Sequence, residues 1–213
     1  MAAMNGSPKA RRMRAGRGKV PLWIKIAYTL FLCVLVPVYW RGFGPTNFLW
    51  ASDIGLFITF VALWLESRLL NSMMAVGVLP FELAWGVDFL FEVITGVHLT
   101  GMTQYMFNPE LSLYLRGLSL YHLMLALVMV LLLFRLGYDR RALIAQSVLV
   151  WIVLPVTYLV TDPADNINLV FGLGPEPQTV LPPLAYLGLE MVLVPVIICL
   201  PVHLVLRRFF ARR

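Results

Sequence analysis

The sequence predicts an all-α, polytopic membrane protein of six transmembrane helices with both termini in the cytoplasm. Three observations predict it. The 213-residue chain is 60% hydrophobic and 13% charged, with a mean hydropathy of +0.82, well outside the balance of a soluble domain. Its apolar residues fall in blocks of about 18 to 23, the length a helix needs to cross a roughly 30 Å hydrocarbon layer. Its positive charges also alternate from side to side as such spans would.

Taken in order, spans are expected at 20–40, 48–69, 75–97, 113–136, 142–160 and 184–206. The segments between them hold turn formers, from Arg41-Gly42-Phe43-Gly44-Pro45 to the Pro-rich stretch between Asp162 and Pro183. Helices are preferred to strands because each satisfies its own backbone polar groups in lipid, and no block alternates with period two. Pro37, Pro80, Pro155, Pro195 and Pro201 are expected to kink helices rather than end them.

With the amino terminus inside, all but Arg41 and Arg116 of the 17 Lys and Arg residues fall on the inner side. The two long outer loops hold neither type and carry Glu110, Asp162, Asp165 and Glu176. An odd number of spans breaks this pattern. Residues 1–19 are expected to form a disordered basic arm, 20–207 the transmembrane domain, and 208–213 a basic tail. The apolar block after the arm is too long for a signal peptide and no small-x-small site follows, so the arm is expected to remain. No aromatic or base-reading pattern interleaves its charges, which favours contact with anionic lipid over nucleic acid.

Cys33 and Cys199 fall near the middle of spans, where packing is their simplest role. No spacing suggests a zinc site, so neither metal nor cofactor is expected. The functional leads are the ionisable residues inside the spans, which must face the bundle interior, a partner or water. At 1.5 Å per residue, Asp53, Asp88, Glu92, His122 and Glu190 lie about 8 to 13 Å below the outer surface. Trp85, Asp88, Glu92 and Thr95 recur at helical spacing and make one polar stripe, as do Ser119 with His122 and Tyr186 with Glu190. An outer-leaflet polar cavity follows. Glu66 and Glu82, nearer the cytoplasmic end, are expected to snorkel or pair locally, Glu66 on the side of Arg68. The plainer role for the cluster is structural, as hydrogen-bonded ties between helices.

The run from Thr100 to Leu111, with Thr103, Gln104, Pro109, Glu110 and Leu111, followed by a span bearing His122, resembles the loop and fourth span of the YwaF-type bacterial membrane proteins. The stretch Ala51-Ser52-Asp53-Ile54-Gly55 resembles the second-span segment where that family often carries a cysteine. Asn168-Leu169-Val170-Phe171 resembles its Asn-aromatic motif, so the likeness covers about 46 to 172. The superfamily includes an ether-phospholipid acyltransferase and, more distantly, the androgen-induced fatty-ester hydrolases. The resemblance implies a nucleophile at Ser52 and a base at His122.

A serine hydroxyl needs a base to remove its proton, and histidine has the pKa for the task. Asp88, Glu92 or Asp53 would orient the imidazole, and Trp85, Ser119, Glu190 and Asn168 would contact the substrate. The expected activity is hydrolysis or transfer of a lipid acyl ester, with membrane lipids as partners and a bacterial inner membrane as location. The alternatives are an ion- or proton-coupled carrier using the buried acids, a non-catalytic scaffold docking a partner through its outer loops, and, more weakly, a heme held by His98 and His122.

Overall fold

The structure, a computed structural model, describes residues 20–174 and 176–210. The expected basic arm at 1–19 and the tail end at 211–213 lie outside the described residues. Among the described residues all regular structure is helical. The helices are α1 (Leu22–Gly42), α2 (Ala51–Leu65), α3 (Arg68–Gly77), α4 (Leu79–Thr95), α5 (Leu113–Ser119), α6 (Tyr121–Leu136), α7 (Ala142–Val160), α8 (Pro183–Leu193) and α9 (Leu200–Phe210). A π-helical turn, Val194–Cys199, joins α8 to α9. Short 3-10 turns cover Pro45–Leu49, Gln104–Phe107 and Ile167–Leu169.

Four stretches are long and apolar enough to cross a membrane: Leu22–Gly42, Leu113–Leu136, Ala142–Val160 and Pro183–Phe210. Helices α3 and α4 pass the same test as a pair, bent by 50° at their junction. Large apolar side chains stand exposed on the long helices, Leu30 at 62% and Leu127 at 71%. Such a belt suits lipid tails as its solvent. The chain is therefore an all-helical protein with the build of a multi-pass membrane protein.

The expected second and third spans need correction. Helix α2 stops at Leu65, and its 15 residues rise about 22 Å. Glu66 turns the chain in the left-handed region at φ 49°, and the Ser67 hydroxyl caps α3 by accepting from the Leu70 amide. Helix α3 then runs through the centre of the bundle, with Asn71, Ser72, Met74, Ala75, Val76 and Gly77 all buried. Its polar residues are used internally. The Asn71 amide donates to the Met129 carbonyl at 3.2 Å, and the Asp139 amide donates to the Ser72 hydroxyl at 2.9 Å.

The prolines behave differently from one another. Pro37 and Pro155 lie within continuous helices. Pro80 sits in the first turn of α4, where its missing N–H breaks no helical bond, directly after the bend. Pro195 opens the π turn, and the Met191 carbonyl, four residues before it, takes the Trp151 indole N–H at 2.8 Å instead. The last helix also outruns its expected end, reaching Phe210 and absorbing the start of the predicted tail.

At the end of the bundle opposite the 96–112 loop, Lys25 Nζ meets Glu66 Oε1 at 2.8 Å, a local ion pair at the end where Arg68 also lies. Arg141 binds both carboxylate oxygens of Asp139, and Arg68 approaches at 3.8 Å. Those guanidiniums, Arg141 first, hold the Asp139 carboxyl below its usual range. Beside it the Tyr138 hydroxyl lies 2.6 Å from His203 Nδ1, and burial pushes the phenol well above its ordinary value.

Candidate functional site

A cavity of about 930 Å³ opens within the bundle, lined by α1, α2, the α3–α4 junction, α6, α7, α8 and the π turn. Its two sides differ in chemistry. One is aliphatic, built by Leu149, Val153 and Leu154 of α7 with Leu189, Leu193 and Ile197 of the last span. The other is polar and aromatic, built by Ser52, Asp53, Glu82, Trp85, Tyr121 and His122. Tyr39, Tyr105, Ser119, Gln146, Asn168 and Glu190 are among its other polar lining groups, with Asn47 and Tyr186.

Two close helix approaches shape the polar side. Gly86 lets α4 lie against α6, since a Cβ there would come within 2.9 Å of the Leu123 side chain. That contact sets Glu82, one turn earlier on α4, beside His122 in the first turn of α6. Gly77 leaves room for Gln146 at the α3–α4 bend, because a Cβ there would overlap the Gln146 amide.

The imidazole of His122 is fixed on three sides. Its Nδ1 lies 2.7 Å from Glu82 Oε2, and the ring stacks on Trp85 at 4.6 Å and on Tyr121 at 4.2 Å between centroids. With the Nδ1 proton donated to the carboxylate, Nε2 presents its lone pair as a base. The Tyr121 phenol donates to Asp53 Oδ2 at 3.4 Å and neighbours Ser52. Tyr39 and Ser119 share a hydroxyl hydrogen bond of 2.7 Å. Tyr105 enters from the 96–112 loop, and burial pushes its phenol up to about 12.

The expected site residues therefore divide. Ser52, Asp53, Trp85, Ser119, His122, Asn168 and Glu190 line the one cavity, whereas Asp88 and Glu92 do not. Asp88 accepts from the Thr100 amide at 2.7 Å, the Thr103 amide at 2.9 Å and the Thr103 hydroxyl at 2.8 Å. Glu92 lies 2.7 Å from His98 Nδ1. Both acids are thus tied to the 96–112 loop, and the carboxylate that orients His122 is Glu82. Asp88 and Glu92 serve the cavity indirectly, since the loop they hold contributes Met102 and Tyr105 to its lining. A second, open depression of about 620 Å³, lined by loop residues that include His98, Gln104 and Asn108, shares Tyr105.

Asn168 acts as a clamp. Its Oδ1 accepts from the Ala51 amide and its Nδ2 donates to the Leu49 carbonyl, both at 2.8 Å. This fixes the first turn of α2, where Ser52 and Asp53 sit. Asn166, Asn168 and Leu169 all take left-handed backbone angles, a concentration of strain beside the cavity.

Glu82, expected near the cytoplasmic end to snorkel or pair locally, is 1% exposed, central and partnered by His122. One signal pointed to it: the stripe of Trp85, Asp88 and Glu92 extends back by three residues to Glu82. Tyr39, Tyr121 and Gln146 carried no comparable signal, because a lone polar or aromatic residue in an apolar span reads as packing. His98 and His122 bond different carboxylates, and only His122 lines the cavity.

No protein-family model matches this chain, and no curated protein or solved structure matches it.

Proposed function

We propose that the protein is a six-pass membrane protein with both termini in the cytoplasm, which admits an amphipathic lipid from the bilayer and performs acid–base chemistry on it. Helix α2, the bent α3–α4 pair and the four long helices make up the six passes, and the inner Lys and Arg residues support the orientation. The single observation that carries the chemistry is the 2.7 Å contact between His122 and Glu82 inside a half-aliphatic cavity. A carboxylate-oriented imidazole beside an acyl-sized apolar wall is equipped to move a proton to or from a bound lipid.

The specific reaction we propose is hydrolysis or transfer of an acyl ester, with Ser52 as nucleophile. Ser52 lines the same cavity in the first turn of α2, and the resemblance to YwaF-type proteins supports the assignment. His122 would take the Ser52 proton as the hydroxyl attacks the ester carbonyl, then return it to the departing alkoxide, with Glu82 holding the imidazolium.

The test is labelling of detergent-solubilised protein with a fluorophosphonate and turnover of a fluorogenic lipid ester, comparing wild type with Ser52→Ala, His122→Ala and Glu82→Gln at matched thermal stability. Loss of labelling and turnover in all three supports acyl transfer at Ser52. Turnover that needs His122 and Glu82 but survives Ser52→Ala shifts the chemistry to direct proton transfer. Activity that survives His122→Ala overturns the proposal.

A further inference from the structure

The cavity's charges point to the kind of head group it receives. Asp53, Glu82 and Glu190 line it, and among the described residues no Lys or Arg does. Arg116, near Ser119 in sequence, donates Nη1 to the Met106 carbonyl, and both it and Arg41 are outside the lining. Asp53 and Glu82 are 2% and 1% exposed, yet Asp53 Oδ1 and Glu82 Oε1 have no hydrogen-bond partner among the described residues. Unpaired buried carboxylate oxygens are costly unless something satisfies them.

The walls beside these oxygens are aromatic. Tyr39, Trp85, Tyr105 and Tyr121 line the same side, and the negative faces of such rings attract cations. Two acids and several rings, with no Lys or Arg among the lining residues and His122 already engaged with Glu82, suit a positive head better than a phosphate or carboxylate. A bare metal ion suits the site poorly, because aromatic rings are not ligands for hard cations. Among the described residues no three His, Cys, Asp or Glu side chains are placed to hold a metal ion. The aliphatic side leaves room for a hydrocarbon tail.

We propose that the cavity binds an amphiphile with an alkylammonium head, seated between Asp53 and Glu82, and an aliphatic tail laid against α7 and the last span. This rests on the same cavity as the proposed chemistry and names the class of its ligand. The ammonium N–H groups would satisfy Asp53 Oδ1 and Glu82 Oε1, and its alkyl substituents would face the rings.

The experiment is saturation binding of a radiolabelled long-chain N-methylalkylamine, whose protonated form carries two N–H groups, to the full chain in a nonionic detergent. Competition follows with the unlabelled amine, the alcohol and the carboxylate of the same chain length. The expected result is saturable binding displaced by the amine alone and weakened roughly thirtyfold or more by Asp53→Asn, as when one partner of a desolvated charge pair is removed. Displacement by the alcohol or the carboxylate as strong as by the amine overturns the proposal, and so does the absence of saturable binding. Thermal unfolding establishes that Asp53→Asn is folded, and if it is not, the wild-type competition alone decides. Failure of fluorophosphonate labelling leaves amine binding standing, and failure of amine binding leaves labelling standing, so the two proposals fall separately.

Discussion

His122 Nδ1 and Glu82 Oε2 meet at 2.7 Å across 40 positions of sequence, and the meeting depends on a bend. Helix α4 leaves the axis of α3 by 50° at Val78, and Gly86 lets it close on α6. Glu82 thereby reaches the level of the imidazole.

The pair is expected to act as a unit. Glu82→Gln keeps the shape but removes the charge that holds the imidazolium, and lipid-ester turnover should fall roughly 100-fold or more. His122→Ala should cost at least as much. The double variant should be little worse than His122→Ala alone, because removing either member disables the same step. Steady-state rates with a fluorogenic ester provide the check.

The 96–112 loop is expected to loosen when its anchor is cut. Thr103→Val removes the hydroxyl that bonds Asp88 at 2.8 Å and approaches Glu92 at 3.4 Å, at a cost of about 1–3 kcal/mol for the buried groups left unpaired. Hydrogen exchange should rise across the loop and not in α6 or α7. KM should rise more than kcat falls, since Met102 and Tyr105 line the cavity but do not touch His122 Nδ1.

Gly77 is expected to resist enlargement. In Gly77→Ala the new methyl displaces the Gln146 side chain from the α3–α4 bend, and thermal stability should drop by about 1–3 kcal/mol from overpacking. Adding Gln146→Ala should recover most of that loss. Additive losses in the double variant would show that the two residues do not share the space.

Stability is also expected to depend on Asp139 at acid pH. Its carboxyl is held below the ordinary value by Arg141 and Arg68, so the folded chain binds its proton less readily than the unfolded one. That contribution is present above the unfolded pKa of about 4 and is lost as pH falls through the lower folded value. Asp139→Asn should lower Tm by a few degrees at pH 7 and flatten the acid limb of the Tm–pH curve.

The long helices were legible from the sequence because continuous apolar blocks report spans directly, and α1, α7 and the α5–α6 pair lie close to their expected ranges. Helix α3 was not, because it is only ten residues long and its polar residues Asn71 and Ser72 turn inward to neighbouring elements rather than to water. Its Ser67 cap and its Asn71 and Ser72 read as a loop between spans. The error propagated to Glu82, whose depth was counted along a straight third span that the 50° bend removes. Ser52, Asp53, Trp85, Ser119, His122, Asn168 and Glu190 share the one cavity because ionisable and polar groups in an apolar span turn to the bundle interior rather than to lipid. Asp88 and Glu92 lie outside that lining for a related reason. Their partners are backbone amides of Thr100 and Thr103 and the imidazole of His98, and backbone donors leave no mark in a sequence.

The central claim, that the cavity seats a lipid tail against α7 and the last span with its head beside His122, is tested most directly by photocrosslinking. A long-chain ester carrying a diazirine midway along its tail would be irradiated with the full chain in nanodiscs, and the adducts mapped by mass spectrometry. Adducts are expected to concentrate at Leu149, Val153, Leu193 and Ile197 and to be suppressed by excess unlabelled ester. Adducts confined to outward-facing residues such as Leu127 and Ile144, unaffected by competitor, would contradict that claim.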